Sequence, residues 1–164
     1  MDIEAQERNC VFPLEEVVSA YTDMLFRIGF SMLGSADDTE DVLQNVFLKY
    51  HAKRPAFVDG EHCKAWLIRV TINETKNFLR FRKRRRKLEE DAMEVVPGTA
   101  DRSALDALMR LPTKYKVVMH LYYVEGYKSA EIARIVGITP GAVRKRLVKG
   151  REKLKAIYLE GEDL

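Results

Sequence analysis

SAEIARIVGITPGAVRKRLVKGR, residues 129–151, decides how this chain reads. Ala133 is small, as a close crossing of two helices requires. Gly137 follows four residues later, where the chain must turn with φ > 0, a conformation that glycine adopts without steric cost. Thr139 offers an N-cap hydroxyl, and Pro140 takes the first helical position, where no amide partner is needed. Val143 and Leu147, four apart, pin the second helix to the first and leave Arg144, Lys145 and Lys149 facing outward. The spacing predicts a helix-turn-helix whose second helix carries a basic exposed face, the geometry that enters a major groove. A surface hairpin with solvated cations is the blander reading. It is the weaker one, because turn glycine, cap and buried aliphatics fall in one register.

Outward from this motif the periodicity is helical nearly everywhere, and strand signals are almost absent. A first helix fits residues 14–33, opened by Pro13 and closed by Gly34, with Leu14, Val17, Val18, Tyr21, Leu25, Ile28 and Met32 on one stripe. Ser35 then caps a second helix, with Asp38 three residues on in a capping-box arrangement. That helix runs to about Tyr50 and buries Val42, Leu43, Val46, Phe47 and Tyr50. A turn-rich loop, RPAFVDG, precedes a long third helix over roughly 61–86. Residues 87–102 lose the periodicity and contain Pro97 and Gly98, the composition of a charged, flexible linker. Helices resume at Ser103: a short one to Leu111, then another from Pro112 through about Val124, with Gly126 as its stop. The expected fold is all-α. Two small helical domains, residues 10–86 and 103–160, are joined by the linker, and the second contains the helix-turn-helix.

The chain has 164 residues, 46% hydrophobic and 32% charged, with a net charge of only +3. The distribution of charge matters more than its sum. Ten cations between Lys64 and Lys87 face a single acid, Glu74, whereas the stretches around 37–41 and 89–94 are acidic. Cys10 and Cys63 are far apart and form no ligand spacing with His51, His62 or His120, which argues against a disulfide framework or a metal site. No cofactor is expected. The N-terminal MDIEAQERNC lacks an apolar signal core, and no run reaches the length of a membrane span, so the chain reads as cytoplasmic with no membrane insertion.

On the third helix Arg69, Asn73, Lys76, Arg80 and Lys83 recur at intervals of three or four and share a face. Leu67, Ile68, Thr71, Ile72, Thr75, Phe78 and Leu79 occupy the other. The basic face combines phosphate-binding charge with an amide able to pair with a base edge. Ten cations to one acid repel each other without a polyanion, which favours nucleic acid as the partner. Trp66, near the exposed boundary, has the shape to stack on an unpaired base. Taken alone it is more readily a core residue, since aromatics at helical spacing usually pack. The second helix carries Asp37, Glu40, Asp41 and Gln44 on a polar stripe. The helix dipole explains acids in the first turn, so by pattern alone a protein-docking role for this stripe and a merely solvated one are equally consistent.

Three segments together resemble one family: ADDTEDVLQNVF (36–47), AWLIRVTINETKNFLR (65–80) and LPTKYKVVMHLYYVEGYKSAEIARIVGITPGAVRKRL (111–147). They look like the conserved regions of bacterial RNA polymerase sigma factors, specifically the short two-domain extracytoplasmic function (ECF) group. The resemblance runs from about residue 14 to 156, in family order. It implies that Glu40, Asp41, Gln44 and Phe47 dock on core polymerase through the β′ clamp helices, with the β subunit a further contact. It implies that Trp66, Arg69, Asn73, Lys76, Asn77 and Arg80 open and read the −10 promoter element. Thr139, Arg144, Lys145, Arg146 and Lys149 are then implied to read the −35 element, and a separate anti-sigma factor is the expected inhibitor. Three departures stand out. Asn45 replaces a usual Glu, Lys128 a common Ser or Thr cap, and Ala142 and Lys145 a frequent Thr and Ser. No catalytic constellation or Gly-rich phosphate loop competes with this reading. The rivals are a free-standing helix-turn-helix regulator acting without polymerase, and an adaptor that binds a protein through helix 2 and RNA through its basic face.

Overall fold

Pro13 and Gly34 bound the first helix, α1 (Leu14–Leu33), and Gly34 ends it at φ 67°, its N–H donating to the Phe30 carbonyl at 2.8 Å. The computed structural model describes residues 10–89 and 104–162. Six further helices follow in this range: α2 (Ala36–Lys53), α3 (Gly60–Glu89), α4 (Ala104–Arg110), α5 (Thr113–Tyr123), α6 (Ser129–Val136) and α7 (Pro140–Glu162). The Ser35 hydroxyl accepts from the Asp38 N–H at 3.3 Å, the cap expected from sequence.

α1, α2 and α3 form the N-terminal domain around Leu25, Ile28, Val42, Val46, Leu67, Ile68 and Ile72, each at most 2% exposed. Burying one such aliphatic side chain contributes about 1.5–3 kcal/mol, so the three faces hold together without strand pairing. The crossing of α1 and α2 is close because Gly29 lacks a side chain: a Cβ there would lie 2.9 Å from Thr39 Cγ2. An antiparallel bridge between Cys10 and Phe57, unforeseen in the sequence, ties the segment before α1 to the loop before α3. The Tyr50 hydroxyl, donating to the Phe12 carbonyl at 2.8 Å, fastens the same corner.

α4 to α7 form the C-terminal domain. Tyr115, Lys116, Val117, Val118 and Met119 are buried in succession, so α5 is covered nearly all round. α7 covers one side, where a Cβ on Gly150 would meet Met119 Sδ at 2.5 Å. α1 of the other domain packs against α5 as well. The two domains thus share one contiguous buried apolar cluster.

Some boundaries differ from the sequence reading. α2 continues to Lys53, and α3 runs from Gly60 through Glu89, taking in the first three residues of the expected linker because Lys87, Leu88 and Glu89 are good helix formers. The rest of that linker, with Pro97 and Gly98, lies outside the described residues, as do Ser103 and most of the acidic 89–94 stretch. Val18, expected on the buried stripe of α1, is exposed, while Met24 and Leu33 are buried. Among the described residues no helix is long and apolar enough to cross a membrane.

Candidate nucleic-acid interface

The helix-turn-helix forms as its residues require. Gly137 ends α6 at φ 77°, its N–H donating to the Ala133 carbonyl at 2.9 Å. The Thr139 hydroxyl accepts from the Ala142 N–H at 3.1 Å and starts α7. Val143, Leu147, Ile132 and Ala133 are buried between the two helices. At the start of α6 the Glu131 carboxylate accepts from the Lys128 N–H at 2.7 Å. Lysine has no acceptor, so this is half of a capping box, the shortfall expected at that departure.

Arg144, Lys145 and Lys149 are exposed along α7, where with Gly141, Val148 and Glu152 they line a shallow concavity. Arg146 is half-buried instead. Burial, together with the positive charges of Arg146 and Arg80, pushes the half-buried Lys76 ammonium of α3 below its ordinary pKa.

On α3, Asn73, Asn77 and Arg80 are exposed, and Arg80 donates to the Asn77 side-chain carbonyl at 3.2 Å. Leu67, Ile68, Thr71, Ile72 and Thr75 are buried behind them, so the two faces divide as their spacing predicts. Trp66 does not join the outward face. It is half-buried, edge-on to Tyr50 and Phe57 with ring centroids 6.0 Å away in each case. Such edge-on packing holds one side of the ring against the core. Arg69 points to the other domain: its guanidinium donates to the carbonyls of Ile135, at 3.1 Å, and Arg134.

On α2, Glu40, Asp41, Gln44 and Asn45 are exposed, and Phe47 is half-buried against the core. Asp38 is engaged by Arg82 of α3 at 3.1 Å. Acids beyond the first turn have no dipole reason to line up, so this exposed polar face is a second surface, separate from the basic ones.

A buried polar cluster stands where the domains meet. Glu125, its side chain 8% exposed, accepts from Arg27 of α1 at 3.1 and 3.3 Å and from His120 Nε2 at 3.1 Å. Burial pushes the His120 imidazole below its ordinary value, outweighing the upward pull of Glu125. At pH 7 the ring is therefore neutral and donates to the carboxylate. On acidification the unfolded chain takes up this proton near pH 6.5, before the folded one does. The stability that neutral His120 contributes is present above that pH and is lost as pH falls through the folded value. The melting temperature is expected to drop between pH 7 and 5, and His120→Gln to flatten that slope. An unchanged slope in the variant would remove His120 from the account. Nothing in the sequence reading singled out Glu125, Arg27 or Lys116. The signal available was a lysine inside the apolar run of α5.

Residues 17–85 match the family model for sigma-70 region 2, and residues 101–154 that for sigma-70 region 4. The chain is 30% identical to the RNA polymerase sigma factor SigZ of Bacillus subtilis, over 74% of this chain and 73% of that one. It is 26% identical to the ECF sigma factor SigW of the same organism, over 85% and 86% of the two chains. Among solved structures, the sigma factor RpoE of Bartonella quintana, crystallised with the anti-sigma factor NepR, superposes with a TM-score of 0.72. That match is 22% identical and covers 87% of this chain and 94% of that one, a likeness of fold. With two sigma regions in order, a formed helix-turn-helix and relatives along most of its length, the chain belongs to the ECF group of RNA polymerase sigma factors, the subunits that direct transcription initiation.

Proposed function

We propose that this chain docks on core polymerase through Glu40, Asp41, Gln44 and the exposed edge of Phe47, reads the −35 element with α7 and opens the −10 element with α3. The carrying observation is that three polar surfaces of distinct character are exposed on α2, α3 and α7 of one chain. A free-standing regulator needs only the α7 surface. The division of labour is a bipartite clamp: two modest DNA contacts whose effective concentration rises once polymerase spaces them. The protein itself supplies binding and strand selection, with catalysis left to polymerase, and acts in the cytoplasm, where polymerase and promoter are. A separate anti-sigma factor is a further expected partner, in keeping with the pairing of RpoE with NepR. The exposed Tyr122, Tyr123 and Val124, contiguous with an apolar cleft of about 330 Å³, offer such a partner a surface.

Transcription reconstituted from core polymerase, this protein and a promoter library tests the reading directly. Selective initiation is expected with core and none without it. Sequence-specific gel shifts by the protein alone, with no effect on core, would establish the regulator instead. Within the same assay, Arg144→Ala and Lys145→Ala are expected to reduce discrimination among −35 sequences by about 1–3 kcal/mol where the side chain makes a bidentate base contact. A contact to phosphate alone weakens all promoters alike. Promoter choice unchanged by both substitutions would mean that another face of α7 enters the groove.

A further inference from the structure

The apolar cleft of about 330 Å³ lies where α4, α5 and α7 meet the last turn of α1, with Leu108, Met119 and Leu154 among its walls. Its polar side chains can be accounted for donor by donor. The Ser31 hydroxyl donates to the Ile28 carbonyl, and His120 Nε2 is engaged by Glu125. Lys116, 5% exposed, donates through Nζ to the carbonyls of Met32, at 3.3 Å, and Met109, at 3.2 Å. An ammonium has three donors, so one N–H is left over. At the rim the exposed Arg151 donates one N–H to the Tyr123 hydroxyl at 2.8 Å and keeps the rest of its fork. Among the described residues no carboxylate lines the cleft or pairs with either cation. Buried lysines are almost always paired, because a buried charge without a counter-charge is costly. Burial, with the positive charge of Arg82, pushes the Lys116 pKa below the ordinary lysine value, the direction of a site that lacks an anion. Water can satisfy the remaining N–H, but it brings no charge and meets apolar walls.

We propose that this cleft is a binding site for a medium-chain carboxylate, its head on Lys116 Nζ and within reach of Arg151, its alkyl tail along Leu108, Met119 and Leu154. Two cations without an acid fix the sign of the head group, and charge-assisted hydrogen bonds are the strong ones. The walls fix the tail. At roughly 30 Å³ for each water-sized group, the cleft takes about ten heavy atoms, the size of octanoate. An apolar lining with a few convergent polar groups is the usual character of a small-ligand pocket. The site uses no residue assigned to polymerase or DNA, so it stands apart from the proposed promoter role. A bound ligand ties three helices of the second domain to α1 and raises the melting temperature by mass action.

The test titrates the full chain with octanoate, octanol and octylamine by calorimetry. Octanoate is expected to bind once per chain at submillimolar concentration and to raise the melting temperature. Octanol, with the same tail and no charge, should bind at least about tenfold more weakly, and octylamine not at all. Nuclear Overhauser contacts should run from the octanoate methylenes to the Met119 methyl. Arg151→Gln, at an exposed position, is expected to weaken octanoate and leave octanol unchanged, whereas Leu108→Trp fills the cleft and abolishes both. Lys116→Met should make octanoate and octanol equal. That change also strips a donor from two carbonyls, so the Arg151 and Leu108 variants decide the matter if it fails to fold. Octanol binding as tightly as octanoate would overturn the anion site. Absence of saturable octanoate binding at millimolar concentration would overturn the cleft as a ligand site, as would affinity unchanged by both Arg151→Gln and Leu108→Trp.

Discussion

Asp41→Lys combined with Gln44→Ala is expected to weaken binding to core polymerase by at least about 2 kcal/mol, roughly thirtyfold, the scale of a lost interface hot spot. The lysine reverses a charge in the middle of the exposed face of α2, and the alanine removes an amide one helical turn along. Both positions are exposed, behind them Val42, Leu43 and Val46 remain buried, and surface changes of this kind usually move stability by no more than about 0.5 kcal/mol. The double variant should therefore melt like wild type and fail to support transcription. Core binding undiminished, with native circular dichroism, would remove α2 from the docking assignment. Asp38 is a useful control. It is already paired with Arg82, so Asp38→Ala should loosen the α2–α3 contact more than it affects polymerase.

The capped helix ends at Gly34, Ser35, Gly137 and Thr139 were legible because each is decided within four residues. Gly34 and Gly137 at positive φ, Ser35 bonded to Asp38, and Thr139 bonded to Ala142 stand where a backbone donor or acceptor needs a partner that the chain supplies locally. The burial of Val143 and Leu147 followed from the same register. Trp66 was harder. A residue at the flank of a helical stripe has no side fixed by periodicity, and the rings of Tyr50 and Phe57, contributed by other segments, draw it inward. The boundary between the domains was not legible at all. Lys116 reads as an interruption of the apolar run in α5, and its meaning lies in the Met32 carbonyl 84 positions away. Glu125 likewise owes its cross-domain role to Arg27, 98 positions distant. In the folded chain five successive residues of α5 are buried, more than a single packing partner can cover.

Asn73→Ala carries the second large effect, and it separates strand opening from binding. Asn73 is exposed on α3, one turn from Arg69 and two from Arg80, with Ile72 and Thr71 buried behind it. Its side chain is thus free to present an amide to a base edge, and its loss should leave the melting temperature unchanged. Unstacking and flipping a base costs a few kcal/mol, and pairing the flipped base with protein groups recovers part of that. Losing one such partner, at about 1.4 kcal/mol, slows open-complex formation roughly tenfold. Closed-complex affinity should hardly change, because it rests on phosphate contacts from cations that remain in place. A template already melted across the −10 element no longer requires the step and should restore most of the activity. Should the variant instead lose closed-complex binding and gain nothing from the premelted template, Asn73 would be a docking contact, and the opening role would pass to another residue of the same face.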